Sequence, residues 1–182
     1  MDLMLPLGRI FHNGYAVPEL EPAMAQLTAI FGLEWAPVSE RTMRIGDPEH
    51  GVIDADVRIG YSITGPPHVE LIQSITPTMW STETAYLHHV GMWAHDIEAD
   101  SARLEQFGLP RHSYGLNDDG STRFIFHQHS FGPLIELLPV STRARFEQWM
   151  TGGALLAAEQ SPTAVGRVAN SATGARRACR AA

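Results

Sequence analysis

The chain contains the stretch His12-Asn-Gly-Tyr-Ala-Val-Pro-Glu-Leu20, and a similar stretch, His89-Val-Gly-Met-Trp-Ala-His-Asp-Ile97, follows in its second half. Each is a short alternating run that begins with a histidine, and an amphipathic segment ending in Phe-Gly follows each of them. Each half also has a later strand-like run with one glutamate among aliphatic residues, Glu70 in the first and Glu136 in the second. One histidine and one glutamate per half, in the same order, predict a four-ligand metal site shared by two duplicated modules.

Strand parity supports this prediction. Alternate residues of a strand share a face, so His12 lies with Gly14, and His89 lies with Gly91. A glutamate between aliphatic neighbours is costly to bury unpaired, and a divalent cation removes that cost. Two imidazoles and two carboxylates suit zinc, nickel, cobalt, manganese or iron, and contain too much nitrogen for a dedicated calcium site. The competing interpretation is that each histidine is an ordinary satisfied residue and each glutamate faces solvent.

The predicted elements have the same order in both halves: a strand, a helix, and then two or three strands. This order predicts an α+β fold in which residues 1–140 form one domain, with module one at 9–76 and module two at 86–140. Residues 141–159 are predicted to form a C-terminal helix. Residues 160–182 have an Ala/Ser/Arg/Gly composition without periodicity, which predicts a disordered tail.

Composition excludes several classes of function. The 182 residues, of which 44% are hydrophobic and 18% charged, are enough for one domain or for two small modules around a common core. The chain has no lysine, which excludes Schiff-base chemistry and a lysine general base. A net charge of −7 argues against nucleic acid as a partner. No apolar run is long enough to span a bilayer and no secretory signal is evident, so a cytoplasmic protein without a membrane partner is expected.

These motifs resemble those of the vicinal oxygen chelate superfamily, which includes glyoxalase I, methylmalonyl-CoA epimerase, ring-cleaving dioxygenases, and fosfomycin and bleomycin resistance proteins. The segments Leu87-His88-His89-Val90 and Gly132-Pro-Leu-Ile-Glu-Leu137 are most similar to the epimerase branch. The resemblance covers about residues 9–140 and implies two tandem βαβββ modules whose sheets curl into a metal-binding cleft. It also implies one divalent ion per site (zinc, nickel, cobalt, manganese, magnesium or iron), held by His12, Glu70, His89 and Glu136.

The number of ligands distinguishes branches of this superfamily. Ring-cleaving dioxygenases and fosfomycin enzymes resemble the pattern with three protein ligands, whereas bleomycin-type binders have lost the metal. The presence of Glu70 therefore favours an isomerase or epimerase that moves a proton alpha to a metal-bound carbonyl through an enediolate, with Glu136 and Glu70 as the catalytic residues. The alternatives are a non-catalytic, ligand-sequestering protein on the same fold and, less favoured, a ring-cleaving dioxygenase.

The substrate is expected to be a small carbonyl or carboxylate compound. His68 and Trp93 on the predicted cleft face, and His127 at the cleft mouth, are predicted to bind it, although Trp93 suits ordinary core packing equally well. The pair His127-Gln-His129 is a competing chelate motif. Few arginines are expected near the cleft, which weighs against the phosphates of coenzyme A and favours an apolar substrate. A homodimer is expected, and the sequence leaves open whether the site forms within one chain or between two.

Overall fold

The computed structural model describes residues 10–152 of the chain, and its elements follow the predicted order of βαβββ twice and a C-terminal helix. Module one consists of β1 (Ile10–Ala16), α1 (Leu20–Phe31), β2 (Ser39–Asp47), β3 (Gly51–Tyr61) and β4 (His68–Ser74). Module two consists of β5 (Tyr86–Ala94), α2 (Ile97–Gln106), β6 (Arg111–Leu116), β7 (Thr122–His127) and β8 (Leu134–Pro139). A 3-10 turn, Val140–Thr142, leads into α3, Arg143–Met150.

Local sequence signals set the ends of the two module helices. α1 ends at Gly32, whose φ of 66° is a left-handed conformation that glycine adopts without steric cost. α2 begins after Asp96, whose carboxylate accepts a hydrogen bond from the Ala99 N–H at 3.0 Å. The first cap ends α1 before the chain returns to the sheet, and the second begins α2 shortly after β5.

The eight strands form one closed barrel in the order β1-β4-β3-β2-β6-β7-β8-β5. Where the modules meet, β1 and β5 pair in antiparallel fashion, and each pairs in parallel with the last strand of its own module. On the opposite side, residues 44–46 of β2 pair with residues 114–116 of β6. This last pairing closes the predicted curled sheet into a barrel.

Helices α1 and α2 lie outside the barrel, where Leu20 packs with Leu71 and Leu104 packs with Leu137. The inward positions of the strands form the main core, together with residues of the loops and α3. Its larger buried members are Phe11, Met43, Ile45, Ile59, Tyr61, Ile72, Trp80, Phe124, Phe126, Leu138, Phe146 and Trp149. The interior is therefore mostly filled with side chains, and a polar residue that faces inward is surrounded by apolar ones.

Helix α3 contributes Phe146 and Trp149 to this interior core. The indole N–H of Trp149 donates a hydrogen bond to the carbonyl of Pro37 at 2.8 Å, which ties α3 to the loop before β2. The predicted helix at 141–159 is observed as far as Met150, and both the end of that prediction and the predicted tail at 160–182 lie outside the described residues. Within residues 10–152, no helix is long and apolar enough to cross a membrane.

Candidate metal centre

The four residues predicted as metal ligands lie on four neighbouring strands where the modules meet. Two rows of paired residues cross β4, β1, β5 and β8. One row consists of His68, His12, Gly91 and Glu136, and the other consists of Glu70, Gly14, His89 and Leu134. Each row carries one histidine and one glutamate of the predicted ligand set, from different modules, and the first row also contains His68. The repeat in the sequence thus becomes a pseudo-symmetric site.

A glycine opposite each histidine makes room for its ring. A Cβ atom on Gly91 would lie 2.2 Å from Cε1 of His12, and a Cβ on Gly14 would lie 2.0 Å from Cε1 of His89. Both distances are far shorter than any ordinary carbon–carbon contact. The His-x-Gly spacing is thereby explained, because the glycine of each module accommodates the histidine of the other.

The side chains converge within a single chain. The Nε2 atoms of His12 and His89 are 2.9 Å apart. Oε2 of Glu70 lies 3.1 Å from Nε2 of His89, and Oε2 of Glu136 lies 3.1 Å from Nε2 of His12. All four ligand-type atoms lie within 4.8 Å of one another, and all four residues are buried. Ligands about 2.0–2.2 Å from a common ion are separated by roughly 3 Å or slightly more, so this set could hold one divalent ion.

The electrostatics of the cluster are those of a site that attracts a cation. Burial opposes a charge on His89, but the Glu136 carboxylate, helped by Glu70, raises the pKa of His89 to about 9. Burial likewise opposes a charge on Glu136, but His89 and His12 lower the pKa of Glu136 to about 2. Even so, Oε2 of Glu136 and Nδ1 of His12 have no hydrogen-bond partner of good geometry within the described residues. A buried, unsatisfied carboxylate oxygen among imidazoles fits a divalent ion.

Two further side chains contact the cluster. Strand parity assigns His88 to the face opposite His89 and hence a bystander role, but its Nδ1 lies 2.9 Å from Nδ1 of His89 and its ring is buried. Burial lowers the pKa of His88 to about 3, so the neutral ring can accept a hydrogen bond from His89 and orient it. The ring of Tyr61 lies 5.8 Å from that of His12, and burial, followed by the nearby Glu70 and Glu136, raises the pKa of its hydroxyl.

Two of the residues predicted to bind substrate share a recess. His68 and Trp93 border a cavity of about 230 Å³ together with aromatic side chains of the core. Nδ1 of His68 lies 2.8 Å from the carbonyl oxygen of Ser62, which fixes the orientation of the ring. The indole of Trp93 stacks on the ring of Phe11 at a centroid distance of 3.7 Å, so Trp93 also serves as core packing.

His127, the third residue predicted to bind substrate, lies outside this recess. Its Nε2 is 2.8 Å from the hydroxyl of Ser101 on α2, and its Nδ1 is 2.8 Å from the carbonyl oxygen of Leu109. Its expected position at the cleft mouth is therefore wrong: β7 directs Phe126 inward and the next residue outward, toward α2. Because both ring nitrogens are occupied, the competing chelate with His129 does not form within the described residues.

Three arginines line one cavity of the interior, whereas the sequence predicts few arginines near the cleft. Arg41, Arg123 and Arg145 border one cavity together with both glutamates of the cluster. A signal for Arg41 was present in the sequence, because it alternates with Met43 and Ile45, which face the interior. Arg123 and Arg145 could not be placed this way, since they come from the start of β7 and from α3.

The fold and the cluster define a protein with paired βαβββ modules around a buried site of two histidines and two glutamates. A family model described as the Glyoxalase/Bleomycin resistance protein/Dioxygenase superfamily matches residues 11–126, and the chain belongs to this superfamily. The resemblance to the vicinal oxygen chelate proteins is thus confirmed at the level of the superfamily. No curated protein matches the sequence.

Solved structures share the fold at low sequence identity. A hypothetical protein from Bacillus halodurans C-125 is 16% identical with a TM-score of 0.54, over 72% of this chain and 93% of that one. Methylmalonyl-CoA epimerase from Mycobacterium tuberculosis is 17% identical with a TM-score of 0.52, over 75% of this chain and 92% of that one. At such identities the similarity concerns the fold alone.

Proposed function

We propose that the protein is a metal-dependent isomerase or epimerase that moves a proton at the carbon next to a carbonyl of a small molecule. The convergence of His12, Glu70, His89 and Glu136 within 4.8 Å carries this proposal. Membership of a superfamily that includes glyoxalases supports it. All four residues belong to one chain, so the site does not depend on the predicted homodimer, which stays a prediction.

The cluster would hold the ion through its two imidazoles and two carboxylates. An ion there would supply the positive charge that makes the C–H next to a coordinated carbonyl more acidic. Glu136 and Glu70 occupy equivalent positions in the two modules, and each lies two residues from an aliphatic core residue, Leu138 and Ile72 respectively. Both carboxylates are only 6% exposed, which limits their hydration, so either could accept a proton from a bound substrate.

The recess beside the cluster supports an apolar body for the substrate. It is bordered by the aromatic side chains of Phe11, Tyr61, Trp93 and Phe146, and its polar lining consists of His68, Arg143 and Glu147. Aromatic walls favour an apolar or aromatic group through stacking and burial. Replacement of these side chains is therefore expected to affect binding more than the proton-transfer step.

The test combines ion content with exchange of α-protons for deuterium. The purified protein should contain about one divalent ion per chain, and NMR in deuterated water should detect exchange on a panel of small carbonyl compounds. His12→Ala should lose both ion and exchange. The control His95→Ala removes an exposed histidine just after β5 and should lose neither. Deuterium exchange detects the proposed proton transfer even when the final product is not known.

Other outcomes would support the alternatives. Stoichiometric ligand binding that persists after chelation, without exchange on any substrate, would favour a ligand-sequestering protein. Bound iron with oxygen uptake would favour a ring-cleaving dioxygenase. Exchange that persists in His12→Ala after complete removal of metal would contradict the proposal directly.

The pKa of His89 leads to a prediction about pH. Since its pKa in the ion-free protein is about 9, His89 is protonated at pH 7.5, whereas a metal ligand must be a neutral imidazole. Ion binding at pH 7.5 should therefore release about one proton, and affinity should rise with pH up to about 9. Calorimetric titration of Zn²⁺ in two buffers of different ionisation enthalpy measures the release. Affinity that does not change between pH 6.5 and 9 would contradict the prediction.

A further inference from the structure

Three arginines of the described region lack an acidic partner. Five arginines between residues 10 and 152 form salt bridges with carboxylates, namely Arg44, Arg58, Arg103, Arg111 and Arg143. Within the same residues, Arg41, Arg123 and Arg145 have no carboxylate at salt-bridge distance, and the Nε atoms of Arg41 and Arg145 are buried without a hydrogen-bond partner. A buried donor of a cationic group without a partner is costly to a folded protein, so the two orphaned Nε atoms need an explanation.

These three side chains come from separate elements and meet at one cavity. Arg41 lies on β2, on the barrel wall opposite the ligand strands, Arg123 lies at the start of β7, and Arg145 precedes Phe146 on α3. The cavity is about 40 Å³ in volume and is also bordered by Glu70 and Glu136 of the metal centre. It therefore has guanidinium groups on one side and the candidate catalytic carboxylates on the other.

The arginines repel one another. Burial, followed by Arg123 and Arg145, lowers the pKa of Arg41 to about 9 against the attraction of Glu70 and Glu136, so Arg41 still carries its charge at neutral pH. Burial also lowers the pKa of Arg123, with a further contribution from Arg145. Like charges held close together and partly shielded from solvent are destabilising by themselves and are typical of sites that bind an oppositely charged ligand.

The cluster carboxylates attract Arg41 across the cavity but form no salt bridge with any of the three arginines. Glu70 and Glu136 direct Oε2 toward the imidazoles of His12 and His89, and neither is within salt-bridge distance of Arg41. An ion bound at the cluster would be coordinated by these same carboxylate oxygens. No carboxylate among residues 10–152 occupies the remaining donors of these guanidinium groups, which are therefore available to an anionic ligand.

We infer that the cavity bordered by Arg41, Arg123 and Arg145 is a carboxylate subsite, and that the substrate is a short carbonyl compound carrying a carboxylate. This inference rests on the proposed function, since it places the reacting carbonyl at the cluster and the carboxylate at the arginines. Guanidinium groups bind carboxylates through paired, charge-assisted hydrogen bonds. A cavity of about 40 Å³ suits a group of that size and not a nucleotide. The substrate is then anionic at one end, which refines the expectation of a purely apolar compound.

The test measures carboxylate binding without turnover. The melting temperature of the full chain is recorded with increasing succinate, propionate or inorganic phosphate at constant ionic strength, since a ligand of the folded state raises it. Arg41→Met and Arg123→Met are compared with the wild type. The control Arg44→Met removes an exposed arginine from the same strand as Arg41, where it pairs with Asp54 at 4.0 Å.

We expect succinate to stabilise the wild type and Arg44→Met equally, and Arg41→Met and Arg123→Met to weaken succinate binding about tenfold or more. The ligand-free melting temperature of Arg41→Met should not fall below that of the wild type, because burial and the neighbouring arginines outweigh the attraction of Glu70 and Glu136 and no salt bridge within residues 10–152 is lost. Lower melting temperatures in both variants with undiminished succinate binding would assign the arginines a structural role and overturn the inference. Binding of phosphate alone would overturn the carboxylate assignment.

The proposed proton-transfer function and the carboxylate subsite can each be contradicted without the other. If carboxylates bind through the arginines but no metal-loaded sample exchanges an α-proton, the proposed chemistry is wrong and the subsite stands. If exchange occurs on carbonyl compounds with and without a carboxylate at the same rate, and Arg123→Met does not change that rate, the subsite is wrong and the chemistry stands.

Discussion

Glu136→Gln is expected to slow α-proton exchange by about two to four orders of magnitude, the usual cost of removing a general base. The amide keeps the shape of the carboxylate and still offers an oxygen to an ion, but it cannot accept a proton. Glu136 lies next to Leu137 and two residues from Leu138, both buried, so a neutral group of the same size is tolerated by the fold. In the ion-loaded protein, loss of activity is therefore expected with little loss of stability, whereas the ion-free variant also loses the ion pairs of Glu136 with His12 and His89.

Ion content, melting temperature and exchange rate are measured on the same sample, because loss of an ion would lower the melting temperature as well as the rate. Glu70→Gln tests the equivalent carboxylate of module one. Glu105→Gln changes an exposed carboxylate on α2 and serves as the matched control. If Glu136→Gln retains the ion and near wild-type exchange, Glu70 becomes the candidate base. If neither variant slows exchange, the proton-transfer mechanism is wrong.

The sequence predicted the fold and the cluster because both depend on short-range regularities. The repeat gave the order of elements twice, and the alternation along β1 and β5 assigned His12 and His89 to inward faces. The lone carboxylates Glu70 and Glu136 stood out within aliphatic runs, where burial without a partner would be costly. Together these regularities were sufficient for the four residues of the candidate site.

Other features depend on contacts between distant segments. The closure of the barrel through β2 and β6 joins segments from different modules, and no local pattern specifies that pairing. The convergence of Arg41, Arg123 and Arg145 depends on this closure and on where α3 packs. His127 was misplaced because a histidine in an apolar strand carries no signal that distinguishes the interior from a helix-covered outer face, where Ser101 happens to offer a partner.

The glycines of the two rows provide a second prediction with a large expected effect. Gly91→Ala should displace the His12 ring, because the new Cβ would lie 2.2 Å from Cε1 and 2.5 Å from both ring nitrogens. His12 is only 1% exposed and the edge of its ring packs against Phe11, so it has little space into which to move. We expect ion content well below one per chain, exchange reduced to background, and a loss of about 1–3 kcal/mol in the free energy of unfolding of the ion-free protein.

Gly14→Ala should act in the same way on His89, since its Cβ would lie 2.0 Å from Cε1 of that ring. Gly60→Ala is the matched control: this glycine also lies in a strand, but its Cβ would meet Sδ of the flexible Met24 at 3.0 Å and Cδ1 of Leu20 at 3.3 Å, so a shift of a few tenths of an ångström accommodates it. Ion content by elemental analysis and unfolding by urea separate loss of the site from loss of the fold. A Gly91→Ala protein that binds its ion and exchanges protons like the wild type would show that the observed orientation of His12 is not the one that holds the ion. Parallel damage by Gly14→Ala and Gly91→Ala, with Gly60→Ala unaffected, is expected because the glycine of each module makes room for the histidine of the other.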